Sequence, residues 1–214
     1  MRDRFYLASA HGNTGSNMVW HCHNKRGYHT NLVLAHTFTR KEAQEEFNQG
    51  ICQPVSADHV DALSIWKVDH QYIPFETILS DDVDAYVLFQ AKRHDGNDVY
   101  WMDDELFNSS TDFSKASVYT RDQAERCTRK NKSLVAIPYS DADQAKRRVF
   151  EARLFNPRIM VQGAGLRIPK AVKLLRRRVR SPKVRFNCPK CGKLNWQHNP
   201  YDFEVCKHCD HIGD

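Results

Sequence analysis

A chain of 214 residues and 24.9 kDa has the length of one or two domains and enough material to bury a core. Only 41% of it is hydrophobic, 27% is charged, and no run approaches the roughly 18 to 20 apolar residues of a membrane helix, which excludes such a span. The net charge of +6 is unevenly divided: residues 1–151 hold 18 Lys and Arg against 22 Asp and Glu, whereas 152–214 hold 14 against 4. No acidic residue lies between Glu151 and Asp202. The expected partner of that stretch is a polyanion: nucleic acid first, an acidic protein face or anionic membrane surface second.

The opening MRDRFYLASA has two arginines and an Ala-x-Ala-like end, but its apolar part is shorter than the core of a signal peptide. It reads as the first strand of a cytoplasmic protein. From there to about residue 150 the chain looks like one unit written twice. Trp20 and Trp101 lie 81 residues apart, as do Thr39-Arg40 and Thr120-Arg121, and Pro54-Val55-Ser56 matches Pro138-Tyr139-Ser140 at an offset of 84. The expected modules cover residues 1–65 and 82–156, each a small α+β unit of β-β-α-β-α order.

Strands are expected at Arg4–Ala8 and Asn17–His21, and again at Ala85–Gln90 and Asp98–Met102, with Gly and Asn turns between them. Thr39-x-x-Glu42 and Thr120-x-x-Gln123 fit helix capping boxes, and Ala43 and Phe47 would share the buried face of the first helix. Short strands at Ile51–Gln53 and Ser133–Ile137 would end at the matched prolines. Second helices would start at Ser56 and Ser140 with Asp58 and Asp143 in their first turns, the later one running from Asp141 to about Phe155. Residues 66–84 would connect the modules.

Trp20 and Trp101 read as core in preference to a stacking surface. His21, Cys22, His23, His29 and His36 are ligand types, but the second copy has Trp101-Met102-Asp103 at the matching place, so surface histidines around a buried Cys22 are the better reading. Asp103-Asp104-Glu105 reads as a solvated turn rather than a cation site. No nucleophile, base and orienter assemble in the sequence, and no catalytic residue is assigned.

Residues 157–167 read as a strand or hinge, and Lys170–Val179 as a helix with an apolar stripe of Val172, Leu175 and Val179. Around it stand Arg167, Lys170, Lys173, Arg176, Arg177, Arg178 and Arg180, followed by Lys183 and Arg185 beyond Pro182. So many like charges in a basic arm over 157–185 would repel one another without a counter-anion, which points to phosphates.

Cys188-x-x-Cys191 and Cys206-x-x-Cys209 carry the sharpest chemistry, because each spacing lets a tight turn aim two sulfurs at one ion. Four thiolates select one Zn2+ per chain, with iron the usual alternative, and Gly192 supplies the permissive φ after the first knuckle. Leu194–Gln197 and Tyr201–Val205 would form a hairpin, with at least one of Leu194 and Trp196 packed inward. Trp196 is also a candidate base-stacking residue, and Lys190 and Lys193 extend the positive field.

Residues Cys188–Cys209 resemble the two-knuckle zinc ribbons of transcription, replication and ribosomal proteins, with Asp210 where many ribbons have glycine. The resemblance implies a zinc ribbon over 186–214 that contacts nucleic acid or docks on a nucleic-acid machine. Gly27-Tyr28 through Thr39-x-x-Glu42-Ala43 resembles short uncharacterised modules of bacteriophage proteins, which would imply a host cytoplasm and carries no function. The expectation is a nucleic-acid-associated accessory protein that binds DNA or RNA without catalysis and regulates transcription or replication. The alternatives are an adaptor or inhibitor on a polymerase or ribosomal protein, and a metal-dependent nuclease. No membrane partner is expected.

Overall fold

A computed structural model of the chain describes residues 3–23, 27–104, 108–175, 183–199 and 201–213. It divides into two units, Met1–Val172 and Lys173–Asp214. Among the described residues no helix is long and apolar enough to cross a membrane.

In the first unit β1 (Phe5–Ala8), β2 (Trp20–His21) and β3 (Tyr28–His29) precede α1 (Arg40–Gln49), β4 (Gln53–Ser56), α2 (Ala57–Leu63) and β5 (Ile65–Val68). The same order recurs in β6 (Tyr86–Asp95), β7 (Asp98–Asp103), β8 (Asn108–Ser110), α3 (Arg121–Lys130), β9 (Leu134–Pro138), α4 (Tyr139–Ala145) and β10 (Lys146–Val149). The result is an α+β fold with two similarly arranged antiparallel sheets, β3-β2-β1-β4 and β8-β7-β6-β9, while β5 pairs with β10. Ala8 pairs with Trp20 and Phe89 with Trp101, and isolated bridges join Phe5 to Phe38 and Tyr86 to Tyr119. Each second pair stands 81 positions after the first.

The helices start where their caps dictate. Thr39 Oγ1 accepts the Glu42 amide while Glu42 accepts the Thr39 amide, and Thr120 and Gln123 repeat the exchange. α1 buries Ala43 and Phe47 as their spacing requires, and Gly50 closes it at φ 76°. Both tryptophans are fully enclosed, so they are core.

Each sheet is closed by chain that follows the other sheet. Beneath the first, Phe150 and Met160 join Tyr6, Trp20 and Val60; beneath the second, Val68 and Ile73 join Phe89, Trp101 and Phe113. On the outer face of the first sheet, Val161, Leu166 and Val172 cover Phe5, Leu7 and Phe47. Turns from the two halves also meet directly: a Cβ on Gly15 would collide with the Gly96 nitrogen, and φ is +58° and +62° at these residues. Around this contact Lys67 is wholly buried with Asp95 at 3.4 Å, and Arg147 meets Asp98 at 2.6 Å.

Several expectations are corrected. The helix expected over 141–155 is α4, which starts at Tyr139 with Asp141 in its first turn and stops at Ala145. Residues 146–149 form β10 because Arg147 and Val149 alternate inward and the whole segment pairs with β5, which itself lies in the supposed connector. Pro54 and Pro138 are not equivalent: Pro54 lies opposite Leu7 and Pro138 opposite Tyr86, so the register places Ser56, not Pro54, in the position of Pro138. The short strand expected at Ile51–Gln53 is displaced to β4, with Pro54 inside it. Residues 158–162 form a π-helical turn with Met160 and Val161 buried rather than a strand or hinge. The basic helix appears as α5 (Lys170–Leu175), with Val172 buried and Lys170 and Lys173 exposed. Arg176, Arg177, Arg178, Val179, Arg180 and Pro182 lie outside the described residues.

Candidate metal centre

The second unit is built around β11 (Val184–Asn187) and β12 (Leu194–Gln197), which pair antiparallel with Val184 opposite Gln197 and Asn187 opposite Leu194. The strand partner expected at Tyr201–Val205 is thus replaced by β11. The reason lies in Gln197: its side-chain amide donates to the Asn199 carbonyl at 2.9 Å and its side-chain carbonyl accepts the Glu204 amide at 3.0 Å, which ties both residues to the end of β12 in place of a strand pairing.

The two Cys-x-x-Cys segments have the same backbone form. Gly192 N donates to Cys188 O at 2.8 Å and Asp210 N to Cys206 O at 3.0 Å; Cys188 N then donates to Lys193 O and Cys206 N to His211 O. Gly192 sits at φ 70° and Asp210 at φ 54°, so aspartate fills the left-handed position that glycine fills in the first knuckle. The departure of the second knuckle from the glycine pattern leaves its turn intact.

The four sulfurs converge. Cys188 and Cys209 are 3.7 Å apart, Cys191 and Cys206 are 3.5 Å apart, and all four lie within 4.8 Å of one another. A tetrahedral ion with bonds of about 2.3 Å to sulfur sets its ligands ~3.8 Å apart, so this cluster is compatible with a metal site in a ribbon-like motif. The distances are too long for disulfides, and the cysteines are free. Among the described residues no other group of His, Cys, Asp and Glu is gathered closely enough to hold an ion.

Polar groups surround the sulfurs. Asn195 Nδ2 donates to Cys206 Sγ at 3.6 Å, His208 N to the same sulfur at 3.4 Å, and Cys191 N to Cys188 Sγ at 3.4 Å. Burial opposes ionisation of Cys206, but the His208 amide, Asn195 and the neighbouring thiols outweigh it and lower its thiol to about 6. A thiolate is the form that ligates metal. Asn195 also accepts the Lys207 amide at 2.9 Å, which joins the second knuckle to β12. Sequence reasoning missed Asn195; its signal was the alternation of amide and apolar residues in Leu194-Asn195-Trp196-Gln197.

That alternation runs opposite to expectation. Asn195 and Gln197 are buried, whereas Leu194 and Trp196 are 41% and 51% exposed. Lys190, Lys193 and Arg185 are exposed as well, and Arg167 holds its side chain out while its backbone is clasped by Gln44. In the first unit the histidine group does not converge: His21 Nε2 lies 3.0 Å from Cys52 Sγ, and His29 Nδ1 accepts the Asn31 amide. Asp103 is buried, and Glu105 lies outside the described residues.

No family model, curated protein or solved structure matches the chain.

Proposed function

We propose that the chain is a nucleic-acid-associated accessory protein that binds DNA or RNA without catalysis, holding one Zn2+ on Cys188, Cys191, Cys206 and Cys209. The observation that carries this reading is a four-sulfur cluster adjoining the acid-free stretch between Glu151 and Asp202. The zinc would hold the two knuckles together, since so small a unit has little apolar core of its own. Phosphates would meet Arg167, Lys170, Lys173, Arg176, Arg177, Arg178, Arg180, Lys183, Arg185, Lys190 and Lys193.

The body, at net −4, has no field with which to hold a polyanion. In this reading it is an internal duplicate, residues 1–65 and 82–156, followed by an arm over 157–185 and a ribbon over 186–214. The recurrence of strand pairs and capping boxes 81 positions apart supports that origin.

Changing Arg176, Arg177, Arg178 and Arg180 together to glutamine tests the function. Loss of four phosphate contacts should lower the log–log salt slope by about 3 to 4 on duplex and somewhat less on single strands. Absence of salt-dependent binding to any DNA or RNA by the zinc-loaded protein overturns the reading.

A further inference from the structure

The β12 strand turns the amides of Asn195 and Gln197 inward, Asn195 onto the sulfur cluster, and leaves Trp196 toward solvent. Arg185 stands directly opposite Trp196 and Asn187 opposite Leu194, so these four side chains share one face. All four are exposed. The other face carries Val184 and Phe186 with Asn195 and Gln197, and the two amides are only 3% and 5% exposed.

This arrangement has a cost and a purpose. A unit with so little apolar material gains stability by burying tryptophan and leucine, and here the inward places beside them are taken by amides that hold Cys206, Asn199 and Glu204. Trp196 is left with half its surface in water, opposite Arg185 in the strand pairing. Along residues 183–199 the charge is of one sign: Arg185, Lys190 and Lys193 are exposed and the segment contains no carboxylate, while Glu204 lies at the Gln197 end of β12.

We propose that this face binds the unpaired bases of a single-stranded nucleic acid, one base stacking on Trp196 while Arg185, its cross-strand neighbour, contacts an adjoining phosphate. The inference rests on the nucleic-acid reading and narrows it to single strands. An exposed ring can take a base only when that base is not stacked within a duplex, and single-strand binding combines such aromatic platforms with cations that track the backbone. An acidic peptide would use the positive charge but not the ring. An apolar protein surface would use the ring and leave Arg185, Lys190 and Lys193 desolvated without partners.

The test compares labelled single strands of about 12 nucleotides, DNA and RNA, with duplexes of equal length, using the full-length zinc-loaded protein at matched salt. Trp196→Ala should weaken single-strand binding roughly tenfold or more and leave duplex binding within about twofold, while Trp196→Phe retains most of the affinity. Single strands should quench tryptophan emission of the unaltered protein and not that of Trp196→Phe, because Trp20 and Trp101 are enclosed and Trp66, though 38% exposed, belongs to β5 of the first unit and not to this face. Arg185→Gln should lower the single-strand salt slope by about 0.7. Zinc content of each variant checks the fold, and where Trp196→Ala fails to hold zinc the emission comparison decides alone. Salt-dependent binding that is equal for single strands and duplexes, with no quenching from Trp196, overturns this inference and leaves the broader one standing. No salt-dependent binding to either form overturns both.

Discussion

Lys67 Nζ lies 3.3 Å from Glu151 Oε1, with the lysine side chain wholly enclosed. The lysine comes from the end of β5 and the glutamate from the residues after β10, so the contact ties the two halves of the first unit. Asp95 and Asp98 also face this ammonium, at 3.4 and 3.8 Å. Lys67→Ala leaves three carboxylates around an empty place, and breaking a buried pair from one side costs about 3–5 kcal/mol. Urea unfolding of the first unit should show a loss of that order; a loss under ~1 kcal/mol would mean that the network contributes little.

Asp95 gives the same seam a dependence on acid. Burial pushes its carboxyl up, but hydrogen bonds from the Ser16 hydroxyl and amide and the charge of Lys67 outweigh burial and hold it below the usual carboxylate range. A group depressed in the folded state stabilises above its unfolded pKa, about 3.9, and loses that contribution as pH falls toward the folded value. Asp95→Asn should therefore be less stable than the unaltered protein at neutral pH, with the gap shrinking below about pH 4. Denaturant titrations at pH 7 and pH 3 read the difference, and a gap independent of pH would contradict the assignment.

Metal removal should separate the two units. Cys206 accepts from Asn195 and His208 and is fully buried, so Cys206→Ser removes the sulfur on which the hairpin and second knuckle converge. Far-UV and near-UV spectra should show residues from about 184 onward unfolded and the first unit intact, as should chelation of the unaltered protein. Elemental analysis should give one zinc per chain, and a protein free of stoichiometric zinc or iron ends the metal reading.

Local chemistry was legible in the sequence wherever a few neighbouring residues decide the outcome. Thr39 and Thr120 announced their capping boxes, the cysteine spacing announced the sulfur cluster, and Trp20 and Trp101 announced the core. What failed depended on partners distant in the chain. The segment after Ala145 carries apolar residues at helical spacing, yet its pairing with β5, some 80 positions earlier, makes it a strand. In the second unit, alternation showed that Leu194 and Trp196 share a face but not which face; the backbone groups of Asn199 and Glu204 and the sulfur of Cys206 settled that by claiming the amides of Gln197 and Asn195. A small unit gathered on four sulfurs inverts the ordinary rule because its inward places go to sulfur and to amides that satisfy backbone groups.

The reciprocal closure of the two sheets sets how the first unit can be divided. Phe150, fully enclosed, packs its ring 6.1 Å from Trp20, and its carbonyl oxygen accepts the Met18 amide. Phe150→Ala should therefore destabilise the first sheet by about 3–5 kcal/mol although it lies in the second half of the chain. Cutting between the halves is the stronger version of the same experiment. A fragment of residues 1–84 keeps Val68 and Ile73, which belong under the other sheet, and lacks Phe150 and Met160, which belong under its own. Residues 85–214 are deficient in the opposite sense. Each fragment alone should unfold without a sharp transition, whereas mixing them should restore the near-UV signal of the enclosed tryptophans and a single cooperative transition. A fragment of 1–84 could also recruit a second copy of itself through β5, in which case its stability should rise with its concentration. A sharp, concentration-independent transition in the isolated fragment would show instead that each half closes its own core.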